Sequence, residues 1–457
     1  MKKMMACLTA IILVLVTFTG CGGNEGSKQP VSAQDTKGVS EAGTESGISS
    51  GKVQTVTFLD TNPFPERTAF LEQAIADFQA AHPDIKIEMS SVPWDEAYKK
   101  LVTMGSSNTL PDVVTGDVGV MLTLARAGWI ADVSDIFNQL PQSDFSSAIL
   151  AAKDAYTFQD KVYAIPDGYL CQGIFVRTDW LKDLGYNADE LQNWTWDQYY
   201  DIIQKTTDKS KQRYGIAFRG GNNGNLRLYE YMISNLEVAG AFPEGTSRSI
   251  FEDPRALDLF VQFFQPYMEG YAPTDSINWG FKEMVEGFIN GQCATLNQTP
   301  EVAITCESSM EEGTWEILRQ PVKEDAAKNY MTFGYTSAYM MAEKSEAKEG
   351  AAEFIAYLSS PQANTAYCKA IGVLPIYASG LQDEFFQSAN MKAFSDQLLD
   401  PKVSYAAQPT ELTQWGYFLS EYSKLETQKY MSGKQSAEET LSHLAGWMKE
   451  NYEKDVK

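Results

Sequence analysis

The chain has 457 residues, 44% of them hydrophobic, and carries 60 Asp and Glu against 37 Lys and Arg for a formal charge of −23. That length exceeds one ordinary core and implies two domains. A surface this acidic argues against nucleic acid and anionic lipid headgroups as direct partners, and disfavours anionic ligands.

At the start, Lys2 and Lys3 precede an apolar run from Met4 to Phe18, followed by Thr19-Gly20-Cys21-Gly22-Gly23. A charged stretch, an apolar stretch and small residues read as a secretory signal over residues 1–20. The run is shorter than the roughly 20 residues of a membrane-spanning helix. Residues 18–21 resemble a bacterial lipobox, which makes Cys21 the expected lipidated first residue of a chain held on the extracytoplasmic face of the cell membrane. Residues 21–52 are rich in Gly, Ser, Glu, Thr and Lys with almost nothing to bury, the composition of a disordered tether. Gly47-Ile48-Ser49-Ser50-Gly51 matches the G-x-S-x-G nucleophile pattern, but no strand precedes it, so chance explains it better.

Val53 to Asp60 reads as a buried strand, followed by the loop Thr61 to Arg67 and a helix with Phe70, Leu71, Ala74, Ile75 and Phe78 on one face. His82-Pro83-Asp84 ends that helix, and Ile85, Ile87 and Met89 alternate as a second strand. A helix from Trp94 to Met104, a strand from Asp112 to Thr115 and a helix from Val118 to Ala127 follow. Strands alternating with helices predict a mostly parallel sheet with ligands at the strand C-termini. Asn62, Glu66, Arg67 and Asp117 stand there, a mixed donor and acceptor set suited to hydroxyl groups. Glu66 at a helix N-terminus and Arg67 as its surface partner are the plain structural alternative.

Lys161 to Arg177 reads as strand, Pro-Asp-Gly-Tyr turn and strand, and separates two long α/β runs. The chain is expected to cross there from one lobe to the other, with Tyr169 in the cleft. Thr195-Trp196-Asp197-Gln198 is a capping box, as is Ser436-x-x-Glu439 near the end. The loop from Arg219 to Asn225 lacks phosphate-loop spacing, which disfavours nucleotide binding. Cys293 to Gln298 reads as a crossing back to the first lobe, and Met331 to Met340 as a third crossing. Beyond Cys7 and Cys21, Cys171, Cys293, Cys306 and Cys368 remain; Cys293 with Cys306 is the most local pair for a disulfide, and buried free thiols fit equally. Only His82 and His443 are available as histidine ligands, and no zinc spacing occurs, so no metal is expected.

These pieces in this order resemble the bacterial extracellular solute-binding proteins of family 1, the sugar-binding lipoproteins of ABC importers. The matches include Phe78 with His82-Pro83-Asp84-Ile85, Leu110-Pro111-Asp112-Val113, Ala127-Gly128-Trp129-Ile130-Ala131-Asp132-Val133, Lys161-Val162-Tyr163-Ala164-Ile165-Pro166, Trp194-Thr195-Trp196-Asp197, Arg213-Tyr214-Gly215-Ile216 and Gly372-Val373-Leu374-Pro375. Phe288-Ile289-Asn290-Gly291-Gln292-Cys293-Ala294 departs from the more usual Gly-Lys-Ala-Ala-Met. The resemblance implies an α/β fold of the two-lobed periplasmic-binding-protein type II, with a three-crossing hinge and a ligand cleft between the lobes. It implies a first lobe from 53–163 plus about 298–333 and a second from 164–297 plus about 334–457. It also implies a monomer that is no enzyme, closes on a carbohydrate without a cofactor and passes it to the permease subunits of an ABC transporter. Family contacts would map onto the loop after the first strand (Asn62, Phe64, Glu66, Arg67), Asp117, Tyr169, Arg219, Trp279, Gln298, Tyr335 and Trp415.

Two rival functions are a binder of peptide or polyamine, which the acidic balance would suit, and a surface-anchored glycoside hydrolase. The hydrolase needs two opposed carboxylates at a defined separation, and 60 acidic residues make such pairs uninformative.

Overall fold

The computed structural model describes residues 53–456 apart from 192, 335, 336 and 410. The expected signal and tether, the lipidation residue Cys21 and the cleft candidate Tyr335 lie outside the described residues. Strands β1 (Gln54–Asp60), β2 (Ile85–Ser91), β3 (Val113–Gly116), β4 (Ile165–Pro166), β5 (Gly173–Arg177), β6 (Tyr214–Ile216), β7 (Cys293–Gln298), β8 (Trp315–Arg319) and β9 (Ala338–Met341) build two sheets. The first has the order β2-β1-β3-β9-β4 and the second β8-β5-β7-β6. β1 runs parallel to β2 and β3, and β9 runs antiparallel to β3 and β4. In the second sheet β6 and β7 are parallel, and the other pairs antiparallel.

The helices α1 (Pro65–Ala81), α2 (Trp94–Ser106) and α3 (Val118–Arg126) connect and flank the first three strands. α1 opens on a proline, whose fixed φ and missing N–H suit the first helical position. It buries Leu71, Ala74, Ile75 and Phe78 of the expected stripe and leaves Phe70 half-buried. Each such large apolar side chain stabilises the fold by roughly 1.5–3 kcal/mol. Both capping boxes expected in the sequence, at Thr195 with Gln198 and at Ser436 with Glu439, are formed.

The first crossing lies between β4 and β5, inside the stretch Lys161 to Arg177. A second runs through the stretch Met331 to Met340, which was expected to hold the third, and the crossing expected at Cys293 to Gln298 does not occur. β7 stays in the second sheet, between β5 and β6, and β8 joins the same sheet against β5, so residues 298–333 do not return to the first lobe there. The chain goes back between β8 and β9, and β9 belongs to the first sheet although it lies in the segment 334–457 assigned to the second lobe. The helices Lys348–Leu358 and Pro361–Ile371 then pack on β1 and α1, and Ala389–Leu399 packs on β8, which puts the third crossing between 371 and 389. The reason is local: β7 is a six-residue strand of mixed polarity, and its sequence does not say which strands it will pair with.

The three crossings are bonded side by side. Leu170 N–H donates to the Gly334 carbonyl at 2.7 Å and Tyr169 N–H to the Leu374 carbonyl at 2.8 Å. Arg67 pins this joint. It is fully buried; Nε donates to Asp60 Oδ1 at 2.8 Å, Nη1 to Asp167 Oδ2 at 2.9 Å and Nη2 to Ser337 Oγ at 3.1 Å. Tyr367 donates its hydroxyl to Asp167 Oδ2 at 2.7 Å, and Asn364 Nδ2 donates to the Asp167 carbonyl at 2.7 Å. One guanidinium thus ties the end of β1 to two crossings, and two residues of a helix ahead of the third crossing hold the same aspartate. Burial pushes the Asp167 carboxyl up to about 7, Arg67 opposes the shift and Asp60 adds to it.

Cys171, Cys293, Cys306 and Cys368 are all buried free thiols, so Cys293 and Cys306 are not bridged. Burial pushes the Cys171 and Cys306 thiols up to about 12, away from the reactive thiolate. The folded protein is therefore expected to resist alkylation at these four positions, and the unfolded protein to react at all four without reductant, read by mass. Replacing Arg67 by Met leaves two buried carboxylates uncompensated and should cost about 3–5 kcal/mol in urea unfolding. For Asp167 the sign follows from the raised value. An unfolded aspartate titrates near about 3.9, so between there and about 7 the folded state holds the extra proton. Stability from this group is full below that window and lost as pH rises through it. Asp167→Asn should flatten the stability-versus-pH curve in that window; a curve falling in parallel with wild type would place the proton elsewhere.

Candidate functional site

The C-terminal ends of β1, β2 and β3 lie at one edge of the first sheet, since Asp60 pairs with Ser91 and Leu59 with Val114. Asn62 and Phe64 are half-buried there, and Glu66 is exposed in the first turn of α1. Asp117 caps α3, its Oδ1 accepting from Val120 N–H at 2.8 Å. Its carboxyl is pushed up by burial, although the side chain keeps partial exposure, as a group at the wall of a cleft does.

The second lobe meets this edge through the turn Trp415–Tyr417. A methyl group on Gly416 would sit 3.1 Å from the Tyr98 ring of α2, and one on Gly119 of α3 would sit 3.5 Å from Gly416 Cα. Bare backbone on both sides lets the lobes approach this closely.

On the second lobe a polar chain runs from the end of β7. Gln298 Oε1 accepts from Arg227 Nη2 at 3.1 Å and from Thr299 Oγ1 at 2.9 Å, and Thr299 Oγ1 also lies 2.5 Å from Glu301 Oε1. Arg227 Nη1 pairs with Glu230 at 2.7 Å, and Thr332 of the second crossing donates to Glu230. Burial pushes the Glu301 carboxyl up, against Arg227 and Arg219. Gln298 Nε2, Glu301 Oε2 and Asn297 Oδ1 are enclosed without a hydrogen-bond partner among the described residues. A donor and an acceptor on side chains that share a threonine are groups that hydroxyls can satisfy.

The sequence candidates therefore separate. Asn62, Phe64, Glu66 and Asp117 gather at the first sheet's edge, and Gln298 and the half-buried Arg219 belong to the second lobe's polar wall. Arg67 does not line a cleft, because all its donor nitrogens are spent on buried partners in the hinge. Tyr169 is buried in the bonded crossings rather than beside them. Trp279 is buried, its indole covering Gly287 and its Nε1 bonded to Asp275 at 3.1 Å. Trp415 is buried too, stacked on Phe418 with ring centroids 5.1 Å apart and with Nε1 donating to Gln408 at 2.8 Å. Sequence reasoning missed Arg227, Glu230 and Glu301, and it read Trp94 only as a helix start. The position of Trp94 just after β2, at a parallel strand's C-terminus, was a usable signal.

A cavity of about 660 Å3 opens elsewhere, at the N-terminal end of β1, lined by Gln54, Asp112, Trp129 and Lys344 among others. Two of its polar side chains are already engaged: Asp112 accepts from Thr57 and from Ser345, and Gln54 Oε1 accepts from Gly350. Among the described residues no group of three or more His, Cys, Asp or Glu could hold a metal ion, and no helix is long and apolar enough to cross a membrane.

The family model for the bacterial extracellular solute-binding proteins matches residues 63–365. A lactose-binding protein of Rhizobium radiobacter is 24% identical over 376 residues, covering 75% of this chain and 82% of that one. A multiple sugar-binding protein of Streptococcus mutans is 25% identical over 215 residues, 47% of this chain and 48% of that one. Among solved structures, an ABC substrate-binding protein of Listeria monocytogenes in complex with cycloalternan superposes with a TM-score of 0.74 at 17% identity, covering 87% of this chain and 98% of that chain. A solute-binding protein of Thermotoga lettingae bound with alpha-D-tagatose gives 0.76 at 17% identity, covering 87% and 99%. Two α/β lobes, three bonded crossings and this match over most of the folded part agree: the chain belongs to the bacterial extracellular solute-binding proteins of ABC transporters, which bind their solutes and do not turn them over.

Proposed function

We propose that the protein captures a carbohydrate, in the first place an oligosaccharide, between its lobes and delivers it to the permease subunits of an ABC transporter, held at the membrane by a lipid on Cys21. The observation that carries this reading is the mixed polarity of the second lobe's wall, where the unpartnered Gln298 Nε2 and Glu301 Oε2 offer one donor and one acceptor. A pocket for a cation would present acceptors alone; here Arg227 and Arg219 stand beside Glu301. Two proteins similar in sequence bind lactose or multiple sugars by name, and two similar in fold hold cycloalternan and tagatose. Asn62, Phe64, Glu66 and Asp117 would meet the sugar from the first lobe, and Arg219 and Gln298 from the second; Tyr335 stays a candidate from the sequence. Closure stabilises the complex because only then do both walls contact the ligand.

A thermal-shift screen against mono- and oligosaccharides, peptides and polyamines tests this. A ligand at 100 times its dissociation constant should add about 2.7 kcal/mol of stability. A shift with one saccharide class, with the sugar recovered intact, is expected. Silence across the sugars with a shift from a peptide or polyamine would keep the family and overturn the ligand.

A further inference from the structure

The chain has nine tryptophans, and their surroundings divide them. Trp180, Trp194, Trp196, Trp279, Trp315 and Trp415 are buried in the cores. Trp129 lies over Gly105, where a methyl group would come within 2.2 Å of its ring, and Trp447 packs on Phe418 with centroids 4.7 Å apart. Trp94 does neither. It is half-exposed, is absent from the side chains packed on the first lobe's core, and has no ring partner or hydrogen bond among the described residues.

Its backbone is nevertheless fixed. Val92 N–H donates to the Asp60 carbonyl at 2.9 Å, locking the end of β2 to β1, and Glu96 N–H closes the first turn of α2 on the Pro93 carbonyl at 3.0 Å. Pro93 holds φ at −58° immediately before the helix. Four residues on, Tyr98 shares the face of α2 with Trp94, because positions i and i+4 stack along one side of a helix. Tyr98 is the residue that abuts Gly416 of the second lobe. Trp94 is therefore on the side of α2 that looks across to the other lobe, at the strand-end edge shared with Asn62 and Asp117.

A large, half-exposed aromatic ring on a fixed stretch of backbone at such an edge leaves apolar surface to water and has no ring partner among the described residues. Ring sugars supply a partner for it: one face of a pyranose presents C–H groups, which suit the negative face of an indole, while its hydroxyl edge suits the polar wall opposite. An open-chain alditol has no lasting flat face. We infer that Trp94 is the stacking platform of the cleft, and that the protein selects ring saccharides over open-chain polyols; this rests on the carbohydrate reading above.

The test is calorimetric binding of ring saccharides (maltose, lactose and N-acetylglucosamine oligomers) and of mannitol and ribitol to wild type, Trp94→Ala and Trp94→Phe, with melting curves of all three. Wild type should bind a ring saccharide and leave the alditols, Trp94→Ala should bind about 10- to 100-fold more weakly, and Trp94→Phe should fall between. The three should melt together, because Trp94 supports no core. Equal affinity of wild type and Trp94→Ala, a preference for alditols, or a large drop in melting temperature in Trp94→Ala would each overturn the platform while leaving a carbohydrate binder. Absence of carbohydrate binding by wild type would overturn the functional reading, and the platform with it.

Discussion

The rest of the molecule depends on one buried charge. Arg67 lies at the meeting point of β1 and the crossings, fully buried and with all its donor nitrogens engaged. Two carboxylates around one guanidinium leave a surplus negative charge in a dry joint, and such a charge is expensive unless it is hydrogen-bonded or neutralised by a proton. The hydroxyls of Ser337 and Tyr367 and the proton affinity of Asp167 answer that need. An apolar cluster could fill the same space, but it would not fix which crossing lies beside which. Directed bonds from one planar group do.

That joint sets the geometry of the cleft walls without entering them. β1 leads from the Arg67 site directly into Thr61 and Asn62, and Asp167 lies between the strands that enter the two sheets. On the far wall, Glu230 takes up Thr332 from the second crossing and Arg227 from its own helix, so the polar chain ending in Gln298 and Glu301 is referenced to the hinge as well. Stiffness is concentrated where the crossings bond. Asn297, Gln298 and Glu301 each leave one enclosed polar atom without a partner among the described residues, and so does Asp167 in the joint.

Much of this was legible in the sequence, and the misses share a physical cause. Capping boxes at Thr195 and Ser436 and the stripe along α1 are local signals, readable from spacing alone. The family resemblance supplied the two lobes and the existence of a three-crossing hinge. Sequence does not carry partner choice: β7 reads the same whether it joins the first sheet or the second, and only its pairing with β5 and β6 decides. Arg67 was read toward the ligand because polar groups at strand ends usually face solvent or solute, but its partners Asp167 and Ser337 lie 100 and 270 residues away. Trp279 and Trp415 attracted attention as aromatic candidates and turned out to be core, whereas Trp94 was absorbed into a helix start.

The contrast between those tryptophans bears on how closure is driven. A buried donor or acceptor without a partner costs about 1–3 kcal/mol, and the second lobe's wall holds three such atoms, on Asn297, Gln298 and Glu301. On the second lobe these atoms lack a partner among the described residues, and on the first the half-exposed Trp94 lacks a ring partner. In the proposed reading a sugar removes both at once: hydroxyls satisfy the wall, and the ring covers the indole. The lobes meet where Gly119 approaches Gly416 and where the Tyr98 ring lies against Gly416. Closure in that reading gains stability from the solute because only then do both walls contact it, which lets a capture protein reopen once the solute has left.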